Sequence, residues 1–393
     1  MDIKKTLSII KYGAADLVSE DELRNKLRLG RSLRVKLGVD PTSPELHLGH
    51  TVVLNRLRAF QDLGHIAVLI LGDFTARIGD PSGRDATRPV ISAEIVRKNA
   101  ETYTRQAFHV LDPSKTEIRF NSEWLMSFIE GKGGEMPQFL TSLSRITVSR
   151  LLEREDFKSR MAAGNPVSML EFLYPVFQGY DSVAVNADVE LGGSDQIFNL
   201  LVGRDIQKNH GQEPQVVMTF PLLIGTDGTR KMSKSYGNHI ALIDTPQDMF
   251  GKVMSVSDEL MMAYYGLLTS EDTAAVNAMH PMEAKKKLGS LLVSRFHGAD
   301  SGETARSGFE NVFSRRELPQ DIPVFHAASG ERISCLVFSA GLAPSMNEAR
   351  RLIRQGAVKV DGKKVSEDVP LELPGERVLQ VGRRQFCKLI PGK

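Results

Sequence analysis

The span Arg34–Asp73 constrains the fold more than any other stretch of this chain. "RVKLGVD" alternates and is rich in Val and Leu, as a strand is. "HTVVLNRLRAFQDLG" carries Val53, Leu57 and Phe60 at helical spacing and stops at Gly64, a residue type common just past a helix end. "IAVLILGDF" is then a continuous apolar run, the pattern of a strand buried on both faces. Strand, helix and strand in succession make a βαβ unit, and hence an α/β fold with a Rossmann-type parallel sheet. In such sheets ligands sit beyond the carboxyl ends of the strands.

The rest of the chain organises around that unit. Its 393 residues allow two or three domains with their own cores. We place the α/β domain at 1–240, with a mostly helical insertion at about 88–164 that is interrupted by "EGKGGEMP". A second α/β portion, Asp188–Ile224, carries "GGSDQ" at a strand-to-helix turn. An all-α domain is expected at 241–328, helical and polar-faced from about Thr245 to Phe325, and a small α+β domain at 331–393. In that last block Ser345 and Glu348 form a capping box for the basic helix "NEARRLIRQ". Gly356 stops the helix, and "AVKV-DG-KKV" reads as a hairpin with an Asp-Gly turn.

Charge is distributed unevenly. Lys and Arg number 50 against 48 Asp and Glu, but residues 331–393 hold 12 basic and 7 acidic side chains. A basic end on a mildly acidic body suits contact with phosphate. The two cysteines, Cys335 and Cys387, form no Cys-x-x-Cys pair, so neither a disulfide framework nor a structural zinc site is expected. The N-terminal stretch lacks the apolar core of a secretion signal, and no run reaches the roughly 20 apolar residues that span a bilayer. A soluble, cytoplasmic protein is expected.

Three segments carry the chemistry. "GVDPTSPELHLGH" follows the first strand and is neither a Walker loop nor G-x-G-x-x-G. His47 and His50 bracket Gly49 at the helix start, where the dipole favours an anion; two surface histidines near a cap are the plainer alternative. Gly49 would let a flat base or ribose approach the backbone. "GTRKMSKSYGN" places Lys231 and Lys234 among hydroxyls, which is either a solvated turn or a cationic loop for phosphates. "SMLEFLYPVFQGYD" opens with a second capping box, Ser168 and Glu171. It sets Tyr174, Gln178 and Asp181 in one polar stripe, facing water or a pocket, and Pro175 is expected to kink that helix.

His-Leu-Gly-His and Lys-Met-Ser-Lys-Ser, in this order and about 180 residues apart, resemble the paired signatures of class I aminoacyl-tRNA synthetases. The stripe, "GDFTARIGDPSGR", "FNSEW" and "GGSDQ" extend the resemblance to the bacterial tyrosyl-tRNA synthetases over nearly the whole chain. The resemblance implies attack by an amino-acid carboxylate on the α-phosphate of ATP, with Mg2+ accompanying the nucleotide, followed by transfer to tRNA(Tyr). It implies that His47, His50 and Thr42 serve the phosphates and that Lys231 and Lys234 close over pyrophosphate, with Met232, Ser233 and Ser235 beside them. Gly193 and Asp195 would sit by the ribose, and Gly38 and Asp40 would line the cleft floor. Asp181 would accept the phenolic hydrogen of the substrate. Asp80, Tyr174 and Gln178 would hold its α-ammonium, Gln196 would lie near its carboxylate, and Asn121 would edge the pocket.

The C-terminal block resembles an S4-type RNA-binding domain, with Arg350, Arg351 and Arg354 on the helix and Lys359, Lys363 and Lys364 on the hairpin; a basic but inert tail is the bland alternative. The resemblance further implies a homodimer contact in the insertion, where Ile91, Ile95 and Tyr103 are either contact or core, and an anticodon-side role for the helical region. One position departs from the family: Lys36 stands where many members carry a tyrosine that shares the substrate hydroxyl. Either Lys36 points elsewhere and another group takes that role, or Asp181 and water hold the hydroxyl. Rival readings are tryptophanyl-tRNA synthetase, a small nucleotidyltransferase, and a non-catalytic RNA-binding relative of the synthetases. The stripe and the S4-like block argue against the first. The second needs neither the lysine loop nor an RNA-binding tail, and the third would tolerate eroded ATP loops.

Overall fold

The computed structural model describes residues 2–80, 91–131, 136–314, 322–382 and 385–392. The "PSGR" of the "GDPSGR" segment, Arg88 at the start of the expected insertion, and 132–135 of "EGKGGEMP" lie outside these residues. The chain forms two compact units, Met1–Glu303 and Thr304–Lys393.

The first unit is built on a six-stranded sheet: β1 (Asp16–Val18), β2 (Arg34–Val39), β3 (Ile66–Leu71), β4 (Thr116–Phe120), β5 (Val189–Gly193) and β6 (Val216–Phe220). Their spatial order is β1-β6-β5-β2-β3-β4, and all pairs are parallel except β1 with β6. β1, too short to read from sequence, blunts the edge beside β6. The strand order reverses between β2 and β5, which makes their carboxyl ends the switch point where such sheets hold ligands. β3 and β6 are almost wholly buried, as their continuous apolar runs require. β2 is not uniformly apolar: Lys36, fully buried, stands directly opposite Glu190 of β5.

The helix Leu48–Asp62 links β2 to β3. The helix Met169–Ala184 starts at a complete capping box, in which Ser168 Oγ accepts from the Glu171 N–H and Glu171 reaches back to the Ser168 N–H. It runs unbroken through Pro175, so the expected kink does not interrupt the stripe. Five helices follow between Pro246 and Ser314. Two of them reach the α/β body: Tyr264 of Asp258–Leu268 donates to the Ile224 carbonyl at 2.7 Å, and Arg295 of Pro281–His297 bonds the Asn55 side chain.

In the second unit the strands are β7 (Val324–Ala327), β8 (Glu331–Arg332), β9 (Val358–Val360), β10 (Lys363–Val365), β11 (Pro370–Leu371), β12 (Arg377–Val381) and β13 (Gln385–Pro391). One sheet runs β10-β9-β12-β13-β7, and β8 pairs with β11. β7 lies in the stretch read from sequence as helical, and pairs parallel with β13. The helices Ile333–Ser339 and Met346–Arg354 close a core that includes Leu336, Ile353, Leu379 and Leu389. The Asp-Gly hairpin forms as expected, with Asp361 and Gly362 at φ of +46° and +77°. The capping box expected at Ser345 and Glu348 is only half made. Ser345 caps the Glu348 N–H, but the Glu348 carboxylate turns to Arg351 instead.

Candidate active site

A cavity of about 670 Å³ opens at the switch point, lined from the ends of β2, β3 and β5, the start of the helix Leu48–Asp62 and the helix Met169–Ala184. It brings together Gly38, Asp40, Thr42, His47, Gly49 and His50 from the first segment. Asp80, Asn121, Tyr174, Gln178, Asp181, Gly193, Asp195 and Gln196 line it too, as do Lys231, Met232, Ser233 and Ser235. Of the residues proposed for the reaction, only Lys234 is not on its wall. Its ammonium meets Glu45 at 2.7 Å.

The two histidines cap their helix reciprocally. The Gly49 N–H donates to His47 Nδ1 and the His47 N–H donates to His50 Nδ1, both at 3.2 Å. An Nδ1 that accepts leaves the proton of a neutral imidazole on Nε2. Burial holds both rings neutral, pushing His50 down to about 4 and His47 further, where His50 and His239 add to the effect. Two N–H donors of fixed tautomer therefore sit at a helix N-terminus. Gly49 also leaves room for the imidazole, since a Cβ there would come within 2.9 Å of His47 Nδ1.

Beneath them, Asp40 accepts from Thr75 Oγ1 at 2.7 Å and from the Tyr174 hydroxyl at 3.0 Å. Burial pushes its carboxyl up to about 7, and Asp80 and Asp181 push the same way, while those two hydrogen bonds oppose. Gly72 is indispensable here, because a Cβ would fall 2.1 Å from Asp40 Oδ1. Sequence reading passed over Gly72 and Thr75, although their place at the end of the apolar β3 run was a usable signal.

Asp181 lies in the pocket wall with both oxygens engaged. Trp124 Nε1 donates to Oδ1 at 2.8 Å and Asn121 Nδ2 to Oδ2 at 3.3 Å. Asn121 therefore orients Asp181 and is fully buried. Trp124, the sole tryptophan of the chain, was quoted in "FNSEW" but given no role. Burial raises Asp181 to about 7, against the opposing pull of the Lys36 charge. Gln178 Oε1 is a buried acceptor with no partner. Gln196 Nε2 donates to Asp80 Oδ2 at 2.8 Å and Asn199 Nδ2 donates to Gln196 Oε1. The buried Arg154 ties Asn199 and Asp80 into the same network. Arg154 lies far from any motif in sequence, and nothing local marked it.

The lysine loop closes the remaining side. Lys231 pairs with Asp195 at 2.9 Å. Asn238, nearly fully buried, stitches the loop by accepting from the Ser233 N–H at 2.8 Å and donating to Asp227 and the Lys231 carbonyl. Lys36 proves to point away from the cavity. Its ammonium meets Glu190 at 2.8 Å, Ser182 Oγ at 2.8 Å and the Gln178 carbonyl at 2.9 Å, which uses all three of its donors. In the second unit Arg350, Arg351, Arg354, Lys363 and Lys364 are exposed and Lys359 is half-buried. Arg351 is engaged by Glu348. Among the described residues no group of three or more His, Cys, Asp or Glu is placed to hold a metal ion, and no helix is long and apolar enough to cross a membrane.

Comparison with known proteins agrees with this geometry. Residues 28–314 match the family "tRNA synthetases class I (W and Y)", and residues 331–378 match the S4 domain. The tyrosine–tRNA ligase of Oleidesulfovibrio alaskensis is 49% identical, with 99% of this chain and 100% of that protein covered. That of Thermotoga maritima is 48% identical over 100% and 99%. Among solved structures, a C-terminally truncated mitochondrial tyrosyl-tRNA synthetase from Coccidioides posadasii aligns with a TM-score of 0.61 at 25% identity, covering 77% of this chain and 91% of that one. The tyrosyl-tRNA synthetase of Archaeoglobus fulgidus complexed with L-tyrosine shares the fold at a TM-score of 0.63 and 22% identity, over 78% and 100%. The chain belongs to the class I aminoacyl-tRNA synthetases, in the tryptophan and tyrosine family. Within it, both of those full-length relatives are tyrosine–tRNA ligases.

Proposed function

We infer that the chain is a tyrosine–tRNA ligase whose cavity joins L-tyrosine to ATP and then passes the tyrosyl group to the 3′-terminal adenosine of tRNA(Tyr). The observation that carries this reading is Asp181: a buried carboxylate in the pocket wall, oriented by Trp124 and Asn121, in the same cavity as the two N–H-donating histidines and Lys231. A phenol donates to such an acceptor. Phenylalanine would displace water from it without supplying the further donor that a phenol brings, at a cost of roughly 1–3 kcal/mol.

The remaining roles follow from what each group offers. Gln178 Oε1, a buried acceptor lacking a donor, takes one hydrogen of the α-ammonium. The Tyr174 hydroxyl donates its hydrogen bond to Asp40 and so presents a lone pair to the same ammonium, with Asp80 supplying charge. Gln196 stands by the carboxylate. That carboxylate attacks the α-phosphorus of ATP; the bond to the bridging oxygen breaks and pyrophosphate leaves. Magnesium enters as the counter-ion of the nucleotide phosphates. His47 and His50 donate Nε2–H to phosphoryl oxygens as charge builds, and Thr42 lies beside them. Lys231 and Lys234 exchange their carboxylate partners for pyrophosphate, while Met232, Ser233 and Ser235 shape the loop. Asp195 and Gly193 border the ribose, and Gly38 leaves the floor open. Catalysis is thus positioning plus preorganised charge.

The basic helix and hairpin of the second unit hold the RNA backbone. The reading includes a homodimer formed through the insertion. In its support, the insertion exposes several large apolar side chains, among them Met126, Met136, Leu140, Val148 and Met161. Ile95 is exposed, whereas Tyr103 is core and reaches the cavity wall.

The test is ATP–pyrophosphate exchange with tyrosine, tryptophan and phenylalanine, in the absence of tRNA. Exchange with tyrosine alone is expected. Exchange with tryptophan would overturn the pocket assignment, and no exchange with any of the three would overturn the activity.

A further inference from the structure

Below the phenol end of the cavity lies an ion pair for which the proposed reaction has no use. Lys36 and Glu190 are respectively 0% and 1% exposed, on adjacent parallel strands at the same register. Leu37 and Gly38 line the cavity but Lys36 does not. Desolvating two charges is expensive, and a buried pair is weak evidence for a stabilising role, so its presence asks for another reason. Its contacts supply one. The ammonium grips the Gln178 carbonyl and Ser182 Oγ, which flank Asp181 on the helix Met169–Ala184. Glu190 is held in turn by Ser182 Oγ at 3.1 Å and by Gln215 Nε2. The pair therefore fixes the turn of helix that presents Gln178 and Asp181 to the substrate.

We propose that the Lys36–Glu190 pair is the positioning and charge-setting device of the tyrosine pocket: Lys36 anchors the Asp181 turn and keeps that carboxylate ionised from beneath, with Glu190 moderating its field. The proposal rests on Asp181 being the hydroxyl acceptor. Burial favours a protonated Asp181, and a protonated carboxyl would present its own hydrogen to an incoming phenol. Lys36 is the largest influence opposing that protonation, and Glu190 acts the other way. The charged and titratable groups around Asp181 are Lys36 and Asp40 at β2, Glu190 of β5 and Tyr174 on its own helix, with Asp80 acting on Asp40 and Tyr174. Trp124 and Asn121 contribute neutral donors.

The two members of the pair thus have opposite signatures, which a merely structural role would not produce. The experiment measures equilibrium binding of tyrosine and of phenylalanine to the full-length protein from pH 5.5 to 9. Phenylalanine shares the ammonium and carboxylate contacts, so the ratio of the two affinities cancels Asp40 and Asp80 and isolates the phenol end. Glu190→Gln should move the pH at which tyrosine preference is lost downward, and Lys36→Met should move it upward, each by about half a unit or more. Lys36→Met strands a buried carboxylate, and its folding is at risk. The neutral double variant Lys36→Met/Glu190→Gln removes that risk and should still lose preference at a higher pH than the wild type. Shifts of the same sign in both single variants, or a wild-type profile in the double variant, would overturn the proposal. Asp181→Ala, which removes the acceptor oxygens altogether, separates the two levels. If it keeps the preference for tyrosine, the acceptor assignment fails and takes this inference with it. If it loses the preference while the pair variants keep the wild-type profile, only the role of Lys36 and Glu190 falls.

Discussion

At the scale of single residues, burial raises Asp40 and Asp181 alike to about 7, but their surroundings differ. Lys36 opposes the shift at Asp181, whereas the charges acting on Asp40 are the carboxylates of Asp80 and Asp181. An acid whose native value lies above its unfolded one holds a proton that the unfolded chain has released. Between about 4 and about 7 the contribution of Asp40 to native stability therefore falls as pH rises. Asp40→Asn removes that loss, and Tyr174 can turn its hydroxyl to accept from the new amide. The melting temperature of Asp40→Asn minus that of the wild type should be larger at pH 8 than at pH 5, by about 2 °C or more. A margin that is flat with pH would mean that Asp40 ionises normally in the native state.

At the scale of elements, the start of the helix Leu48–Asp62 and the lysine loop divide the work on ATP. The helix start is rigid by construction, since two imidazoles and two backbone N–H groups satisfy one another. The loop is stitched by Asn238, but its lysines end on carboxylates, Asp195 and Glu45, in ion pairs that are only partly buried. Half-exposed ion pairs of this kind are worth at most about 1 kcal/mol and exchange readily for a phosphate. Lys234→Ala should lower the rate of adenylate formation by about 10²-fold, the scale of a lost preorganised charge contact, and leave tyrosine affinity unchanged. Single-turnover kinetics with tyrosine titrated separately would show this. A weakened tyrosine affinity would place Lys234 in the wrong half of the reaction.

At the scale of the whole molecule, the synthetase family match lies almost wholly in the first compact unit and the S4 match in the second. In the second unit, Arg350 and Arg354 project from the helix Met346–Arg354 with exposed side chains; Arg350 lies 3.9 Å from Asp368, whereas the exposed Arg351 is held by Glu348 at 2.6 Å. Arg350→Glu/Arg354→Glu should therefore leave tyrosine-dependent pyrophosphate exchange intact. Its affinity for tRNA should fall about tenfold or more, and the slope of log affinity against log salt should flatten by about one to two. Loss of exchange in this variant would show that the second unit supports activation as well.

How much of this was legible in sequence follows the range of the interactions. Hydrophobic periodicity and caps are local, so "RVKLGVD" through "IAVLILGDF", the Ser168 cap and the Asp361-Gly362 turn could be read directly. The histidine and lysine segments, and the stripe of Tyr174, Gln178 and Asp181, were legible because each needs only neighbours in the chain. By contrast β1, three residues long, exists because β6 is there to pair with it. The use of Gly49 and Gly72 depends on which side chain fills the space above each. Arg154, Trp124 and Asn238 took their roles from partners brought near by folding. Lys36 is the sharpest case. The sequence by itself determined a cation in the middle of a strand. Only the tertiary structure decided that it lies buried against Glu190, 154 positions away in the chain, beneath the carboxylate proposed to select the substrate, because only parallel strand pairing sets those two side chains at one register.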